Sequence, residues 1–95
     1  MKIQDLRTPA LVVAADRLDA NLATMAEALP GERLRPHVKA HKCTALARRQ
    51  RTHGHGAFCA ATIREVEGMV RAGLGDDLLL ANEVAEAGRL GACVE

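Results

Sequence analysis

The stretch AFCAATIREVEGMVRAGLGDDLLLA (residues 57–81) carries the pattern that decides the fold. It opens with a short apolar run at 57–61, which predicts a strand. It closes with a second run at 77–81, whose residues 78–81 are continuously apolar, as buried parallel strands tend to be. Between the two runs, Thr62 and Glu65 have the spacing of a capping box, which predicts that a helix begins here.

The helix between these two strands should be amphipathic. Helical spacing places Val66, Met69 and Val70 on one face, which we expect to pack against the sheet. Gly73 and Gly75 mark its end. A strand, a helix and a second strand over this distance predict a compact βαβ unit, in which the strands pair in parallel.

Similar units flank this stretch. Upstream, RLRPHVKA (33–40) is a strand candidate. Pro36 has no backbone N–H, so it fits a strand only at a position where the sheet needs no hydrogen-bond donor. Residues 41–53 predict a helix. Downstream, Asn82 is expected to begin a last helix. The resulting serial repeat of strand and helix, with a period of roughly 20 to 23 residues, predicts an α/β fold with a parallel sheet, either doubly wound or a (β/α) barrel.

The N-terminal region predicts one more strand and one more helix. ALVVAA (10–15) is apolar and partly β-branched, and Asp16 can cap a helix over 16–29 that Pro30 and Gly31 would end. The apolar residues of this helix recur at helical spacing: Leu18, Leu22, Met25 and Leu29.

Composition narrows the class of protein. The 95 residues allow one domain, and 48% apolar and 26% charged residues are typical of a globular protein. A net charge of +1 gives no overall electrostatic field that would attract nucleic acid or a membrane surface. The N-terminus lacks the features of a signal peptide, and no apolar run approaches the ~20 residues that span a bilayer. Cys43, Cys59 and Cys93 show no CxxC spacing, so we expect free thiols and a cytoplasmic location.

The segment RPHVKAHK (35–42) holds the candidate chemistry. In an extended strand His37, Lys39 and His41 share one face. If that face is the core, Lys39 is buried near the carboxyl end of its strand, where α/β barrels keep their active sites. Burial disfavours the charged form of an amine, and a neutral amine can form a Schiff base with a carbonyl compound. In the alternative, Pro36 bends the strand outward and these side chains are solvated.

Two other kinds of site can be built from this region. Six side chains are chemically suitable for zinc, although their spacing matches no structural zinc motif: His37, His41, Cys43, His53, His55 and Cys59. The segment 33–55 has seven basic residues and no acidic one, which suggests polyanion binding: Arg33, Arg35, Lys39, Lys42, Arg48, Arg49 and Arg51. Without aromatic residues for stacking, such a set is more typical of a solvated helix face.

Three segments together resemble a known family. They are DLRTPALVVAADRLDANLATMA (5–26), LRPHVKAHKCTALARRQ (34–50) and ATIREVEGMVRAGLGDDLLLANEV (61–84). They resemble, in order, the N-terminal part of pyridoxal-phosphate enzymes of the alanine-racemase-like fold (fold type III). The similarity is greatest to the branch of D-threonine aldolases and D-serine dehydratases.

The resemblance assigns roles to individual residues. It implies that Lys39 carries pyridoxal phosphate through a Schiff base, that Lys42 does not, and that His37 and His41 line or support the cofactor pocket. Lys39 is followed by AHKC and not by the Ala-Asn-Ala-Tyr-Gly type segment of alanine racemases, which favours the aldolase and dehydratase branch. Thr62 is expected to cap its helix and, lying just past a barrel strand, to contact the cofactor pocket as well.

The resemblance also implies a fold and an activity. Residues 1–95 would be the N-terminal part of a (β/α)8 TIM barrel, with LRPHVK, AFCAA and DLLLA as strands one to three, and a β-rich C-terminal domain would be absent. The chain would end within its last helix as an inactive fragment. The full-length protein would be a pyridoxal-phosphate-dependent lyase that cleaves or dehydrates D-3-hydroxy amino acids.

Further expectations concern partners and alternatives. A divalent metal (Zn or Mn) would bind outside these residues, the full-length protein would form a homodimer, and neither nucleic acid nor a membrane is expected as a partner. The alternatives are an amino-acid racemase or a non-catalytic pyridoxal-phosphate protein of the same fold. A small βα domain that binds a metal or an anion is the alternative of another class.

Overall fold

The structure is a computed structural model that describes residues 1–94. Within them, helices and strands follow in the order α1 (Ala15–Ala28), α2 (Thr44–Thr52), β1 (Phe58–Ala60), α3 (Ile63–Arg71), β2 (Leu78–Leu80) and α4 (Ala87–Val94). Short 3₁₀ helices occupy Ile3–Asp5, Gly31–Arg33 and Val38–Ala40. Among these described helices, none is long and apolar enough to cross a membrane.

The sheet is parallel, as predicted. Phe58 of β1 lies opposite Leu78 of β2. On the other side of β1, His37 forms an isolated parallel bridge with Cys59, whose backbone N–H donates to the carbonyl oxygen of Pro36 at 2.8 Å. Pro36 therefore supplies an acceptor where no ladder donor is needed. Three parallel segments lie in chain order, which confirms the α/β fold with consecutive βα units.

The predicted capping box of α3 is present in its hydroxyl half. The Thr62 hydroxyl accepts from the Glu65 backbone N–H at 3.1 Å, whereas the Glu65 carboxylate accepts from the N–H of Ala61, one residue before the cap, at 3.3 Å. The chain leaves the helix through Gly73, whose φ of +74° suits glycine. The prediction that Val70 faces inward is wrong, because its position places it at the rim beside the turn at Gly75, where it is 40% exposed.

The core lies between the sheet and helices α2 and α3. Its buried members are Val38, Ala47, Phe58, Ala60, Val66, Met69 and Leu74. Phe58 is fully buried, and a side chain of this size contributes about 2 to 3 kcal/mol by burial. The remaining members are aliphatic or methionine, so many small contacts fill the core around a single ring. This core fixes the ends of the parallel segments, where the candidate site lies.

The N-terminal prediction was half right. Helix α1 is present, but residues 10–14 form no strand, and Leu11 is 95% exposed. Without a neighbouring strand in the described residues, an apolar run has no ladder to join. The residue before the helix is Ala14, which provides no side-chain cap, so Asp16 lies inside the first turn and not at the cap. Met25, one of the apolar residues at helical spacing, is 45% exposed.

Two further predictions are corrected at the carboxyl end of the sheet. Asn82 does not begin a helix; its side chain donates to the Ala61 carbonyl at 2.9 Å and accepts from the Glu83 N–H at 2.9 Å, and α4 begins later. Strand β2 is not buried throughout, since Leu79 is 52% exposed. Alternation turns Leu79 away from α3 and α4, toward a face that no described layer covers.

Candidate active site

The segment 35–42 turns where a strand was predicted. After the bridge at His37 the backbone enters the 3₁₀ helix Val38–Ala40. Successive residues of such a helix point about 120° apart, so Val38 enters the core and Lys39 faces solvent. The prediction of a buried Lys39 on an extended strand is therefore wrong, and the solvated alternative holds for this side chain.

The two histidines hold this turn at both ends. His37 Nδ1 accepts from the Lys39 backbone N–H at 3.3 Å, and His41 Nδ1 accepts from the Cys43 N–H at 3.0 Å. Each ring therefore accepts a hydrogen bond from the backbone N–H two residues further along the chain, as the side chain of an Asx-turn does. The histidine spacing that predicted a shared strand face instead produces two consecutive local caps around Lys39.

The two lysines of the turn have different surroundings. Lys42 has a φ of +50°, in the left-handed region, and its backbone N–H donates to the Val38 carbonyl at 2.7 Å. Lys39 and Lys42 are both exposed, and no carboxylate of residues 1–94 lies within ion-pair distance of either amine, but only Lys42 lines the neighbouring cavity. An accessible amine without a counter-ion, at the carboxyl end of a parallel segment, can react with a carbonyl compound.

A cavity of about 430 Å³ lies beside the turn. It separates the beginnings of α2 and α3, and its polar lining includes Lys42, Cys43, Thr44, Thr62, Arg64 and Glu65. The Thr62 hydroxyl, besides accepting from the Glu65 N–H, donates to the Glu65 carboxylate at 2.9 Å. The structure thus assigns this hydroxyl to the helix cap, and its contact with a cofactor stays a prediction.

The zinc ligands suggested by the sequence do not gather. Within residues 1–94 no three His, Cys, Asp or Glu side chains are close enough to hold a metal ion. His55 is buried, 2% exposed, and its Nε2 donates to the Leu29 carbonyl at 2.8 Å. This histidine therefore ties the end of α1 to the loop after α2, a role that the HGH sequence did not reveal.

Several of the basic side chains have structural partners. Arg48 donates to the Ala72 carbonyl at 2.7 Å and Arg51 to the Gly73 carbonyl at 3.0 Å, so both hold the carboxyl end of α3. Arg49 pairs with Asp19 of α1 at 2.9 Å. The predicted helix face is exposed, but these arginines connect helices.

Arg35 forms a clamp that sequence reasoning missed. Its guanidinium donates to the Phe58 carbonyl at 3.1 Å, to the Asp77 carbonyl at 3.2 Å and to the Asp77 carboxylate at 2.8 Å. Its two terminal nitrogens therefore connect three parallel segments at once, which the fork of an arginine allows. Asp77 lies 42 residues away, so no local pattern could indicate this pair.

Comparisons with known proteins show the family to which the chain is related. Residues 13–95 match the family described as "Alanine racemase, N-terminal domain". The chain belongs to this family. The chain is 40% identical over 75 residues to the D-threo-3-hydroxyaspartate dehydratase of Delftia sp. (strain HT23), an alignment that covers 77% of this chain and 20% of the relative. It is 37% identical over 86 residues to the D-threonine aldolase of Arthrobacter sp., covering 87% of this chain and 22% of the relative.

A solved structure shares the fold. The crystal structure of D-threonine aldolase from Filomicrobium marinum superposes with a TM-score of 0.84 at 41% identity, covering 95% of this chain and 24% of that one. The parallel βα units therefore match the N-terminal part of that protein's fold. The chain spans between a fifth and a quarter of the length of the relatives it matches.

Proposed function

We propose that this chain forms the first part of the TIM barrel of a pyridoxal-phosphate-dependent lyase that acts on D-3-hydroxy amino acids. The observation that carries the proposal is the exposed Lys39, without an ion-pair partner in residues 1–94, in a turn held by two histidines at the end of a parallel segment. The relatives support the reaction class, since their names describe aldolases and a dehydratase of D-3-hydroxy amino acids.

The residues of the turn fit the reactive end of pyridoxal phosphate. Its aldehyde needs a primary amine that is accessible and not held by a carboxylate, and both lysines of the turn meet these conditions within the described residues. The choice of Lys39 follows the family motif. When bound, the cofactor withdraws electrons from the substrate α-carbon. Lys39 would hold the cofactor and, after the substrate amine replaces it, move a proton at that carbon.

The other predicted site residues support Lys39 in this proposal. His37 and His41 keep the backbone of the turn in place through their Nδ1 atoms. Thr62 lies beside the same cavity as Lys42 and is proposed to contact the cofactor pocket from the beginning of α3. A divalent metal held outside these residues, a homodimer and a cytoplasmic location complete the proposal.

Product analysis on the full-length protein tests the reaction. With pyridoxal phosphate and a divalent metal supplied, D-threonine and D-3-hydroxyaspartate should give either glycine and an aldehyde or ammonia and a 2-oxo acid. Lys39→Ala should abolish turnover, and Lys39→Arg should not restore it, because a guanidinium stays protonated. Lys42→Ala is the matched control for the attachment point, and borohydride reduction of this variant should still place the pyridoxyl group on Lys39. Turnover by Lys39→Ala at the wild-type rate, or racemisation without cleavage, would contradict the proposal.

A further inference from the structure

The ring of His41 connects the Lys39 turn to helix α2. Because its Nδ1 accepts from the Cys43 N–H at 3.0 Å, the ring proton lies on Nε2. Nε2 is 3.2 Å from the Gln50 side-chain oxygen and therefore donates to it. Both ring nitrogens are used within the chain, and the ring is half-buried. The predicted contact between His41 and the cofactor consequently cannot use a free ring nitrogen in this geometry.

Besides the His41 ring, the turn is held by the His37 ring, by the bond from the Lys42 N–H to the Val38 carbonyl and by the buried Val38. Lys39, Ala40 and Lys42 are exposed, and Val38 alone of the 3₁₀ helix is buried. A left-handed conformation such as that of Lys42 is unfavourable by about 1 to 2 kcal/mol for a residue with a Cβ. Such a conformation persists only where the surrounding contacts enforce it.

Gln50 is well placed to enforce it. It lies on α2 one turn beyond the fully buried Ala47, and its own side chain is half-buried. Its backbone carbonyl accepts from the N–H groups of His53 at 3.1 Å and His55 at 3.2 Å, so the residue is fixed at the end of the helix. A fixed acceptor on a packed helix can orient the ring, and the ring can orient the turn.

We propose that Gln50 is a positioning residue for Lys39 and acts through the ring of His41. The inference rests on the proposed function, because it assumes that Lys39 holds the cofactor. It assigns to the glutamine no contact with cofactor or substrate. The glutamine fixes the ring, the ring fixes the Cys43 N–H and the left-handed Lys42, and the direction of the Lys39 side chain follows.

Variants of the full-length protein separate this role from simple stabilisation. Gln50→Leu removes the acceptor at similar size, and Gln50→Glu keeps an acceptor. His41→Asn keeps an acceptor for the Cys43 N–H but loses the link to α2. The measurements are pyridoxal-phosphate affinity by absorbance, amide exchange of the peptide that covers residues 37–43, and the melting temperature.

Gln50→Leu should weaken cofactor affinity by about 5-fold and raise exchange in 37–43 by a similar factor, as the loss of one hydrogen bond of about 1 kcal/mol requires. Gln50→Glu should resemble wild type, with all melting temperatures close to it. His41→Asn combined with Gln50→Leu should lose no more affinity than the more affected single variant, because both break one link.

Unchanged affinity in Gln50→Leu would overturn the inference, whether or not exchange rises. So would fully additive losses in the double variant. Failure of the proposed function looks different: after borohydride reduction of the wild-type protein, the cofactor would then be found on a residue other than Lys39.

Discussion

Replacing Thr62 with alanine should loosen the beginning of α3 by an amount that the structure sets. The hydroxyl accepts from the Glu65 N–H at 3.1 Å and donates to the Glu65 carboxylate at 2.9 Å. Alanine removes both bonds, but the carboxylate can still accept from the Ala61 N–H. The side-chain cap of the helix is lost, so we expect the first turn of α3 to lose about 1 kcal/mol of stability.

Amide exchange in the full-length protein measures this loss where it occurs. A change of about 1 kcal/mol should raise exchange in the first turn of α3 about 5-fold. Thr62→Ser keeps the hydroxyl and should match wild type in both exchange and cofactor affinity. If Thr62→Ala weakened pyridoxal-phosphate binding while exchange in α3 stayed unchanged, the hydroxyl would serve the cofactor and the capping argument would be refuted.

Three further predictions concern the contacts that hold the site in place. Arg35→Met should lower the free energy of unfolding in urea by about 1 kcal/mol. Arg35→Lys should recover little of this loss, because an ammonium group cannot reach three oxygens as the guanidinium fork does. Full recovery by lysine would contradict the clamp. His55→Phe should lower the free energy of unfolding by about 1 to 3 kcal/mol, because the Leu29 carbonyl loses its donor. His55→Gln should keep part of this hydrogen bond and lose less. Equal losses in the two variants would contradict the role of the bond. Hydrogen bonds from Arg89 hold the pKa of Glu67 below its usual value, so the link between α3 and α4 stabilises the protein at neutral pH and is lost as the pH falls through this lowered pKa. Glu67→Gln should remove that acid dependence in α4 exchange. A wild-type pH profile in this variant would exclude the pair as its cause.

The βαβ unit was predictable because each of its signals is local. Thr62 and Glu65 lie three residues apart, the run at 57–61 is apolar throughout, and Gly73 provides the left-handed exit. The run at 10–15 failed because a strand also needs a neighbour, and propensity does not supply one. Residues 1–94 contain no partner for it.

The geometry of the candidate site was not predictable from the sequence. The motif made Lys39 the candidate for holding the cofactor, which stays a prediction. Strand alternation placed its side chain in the core, whereas the 3₁₀ turn gives that position to Val38. A sequence does not show where a backbone changes from extended to 3₁₀. Links such as that between His41 and Gln50 depend on the packing of α2, so no spacing rule indicates them.

Identifying the lysine that holds the cofactor tests the central claim most directly. The full-length protein is loaded with pyridoxal phosphate, reduced with borohydride, digested and mapped by mass spectrometry. The account predicts that the pyridoxyl group is found stoichiometrically on Lys39 and that Lys42 stays unmodified. A pyridoxyl group on Lys42, or on a lysine outside this turn, would contradict it.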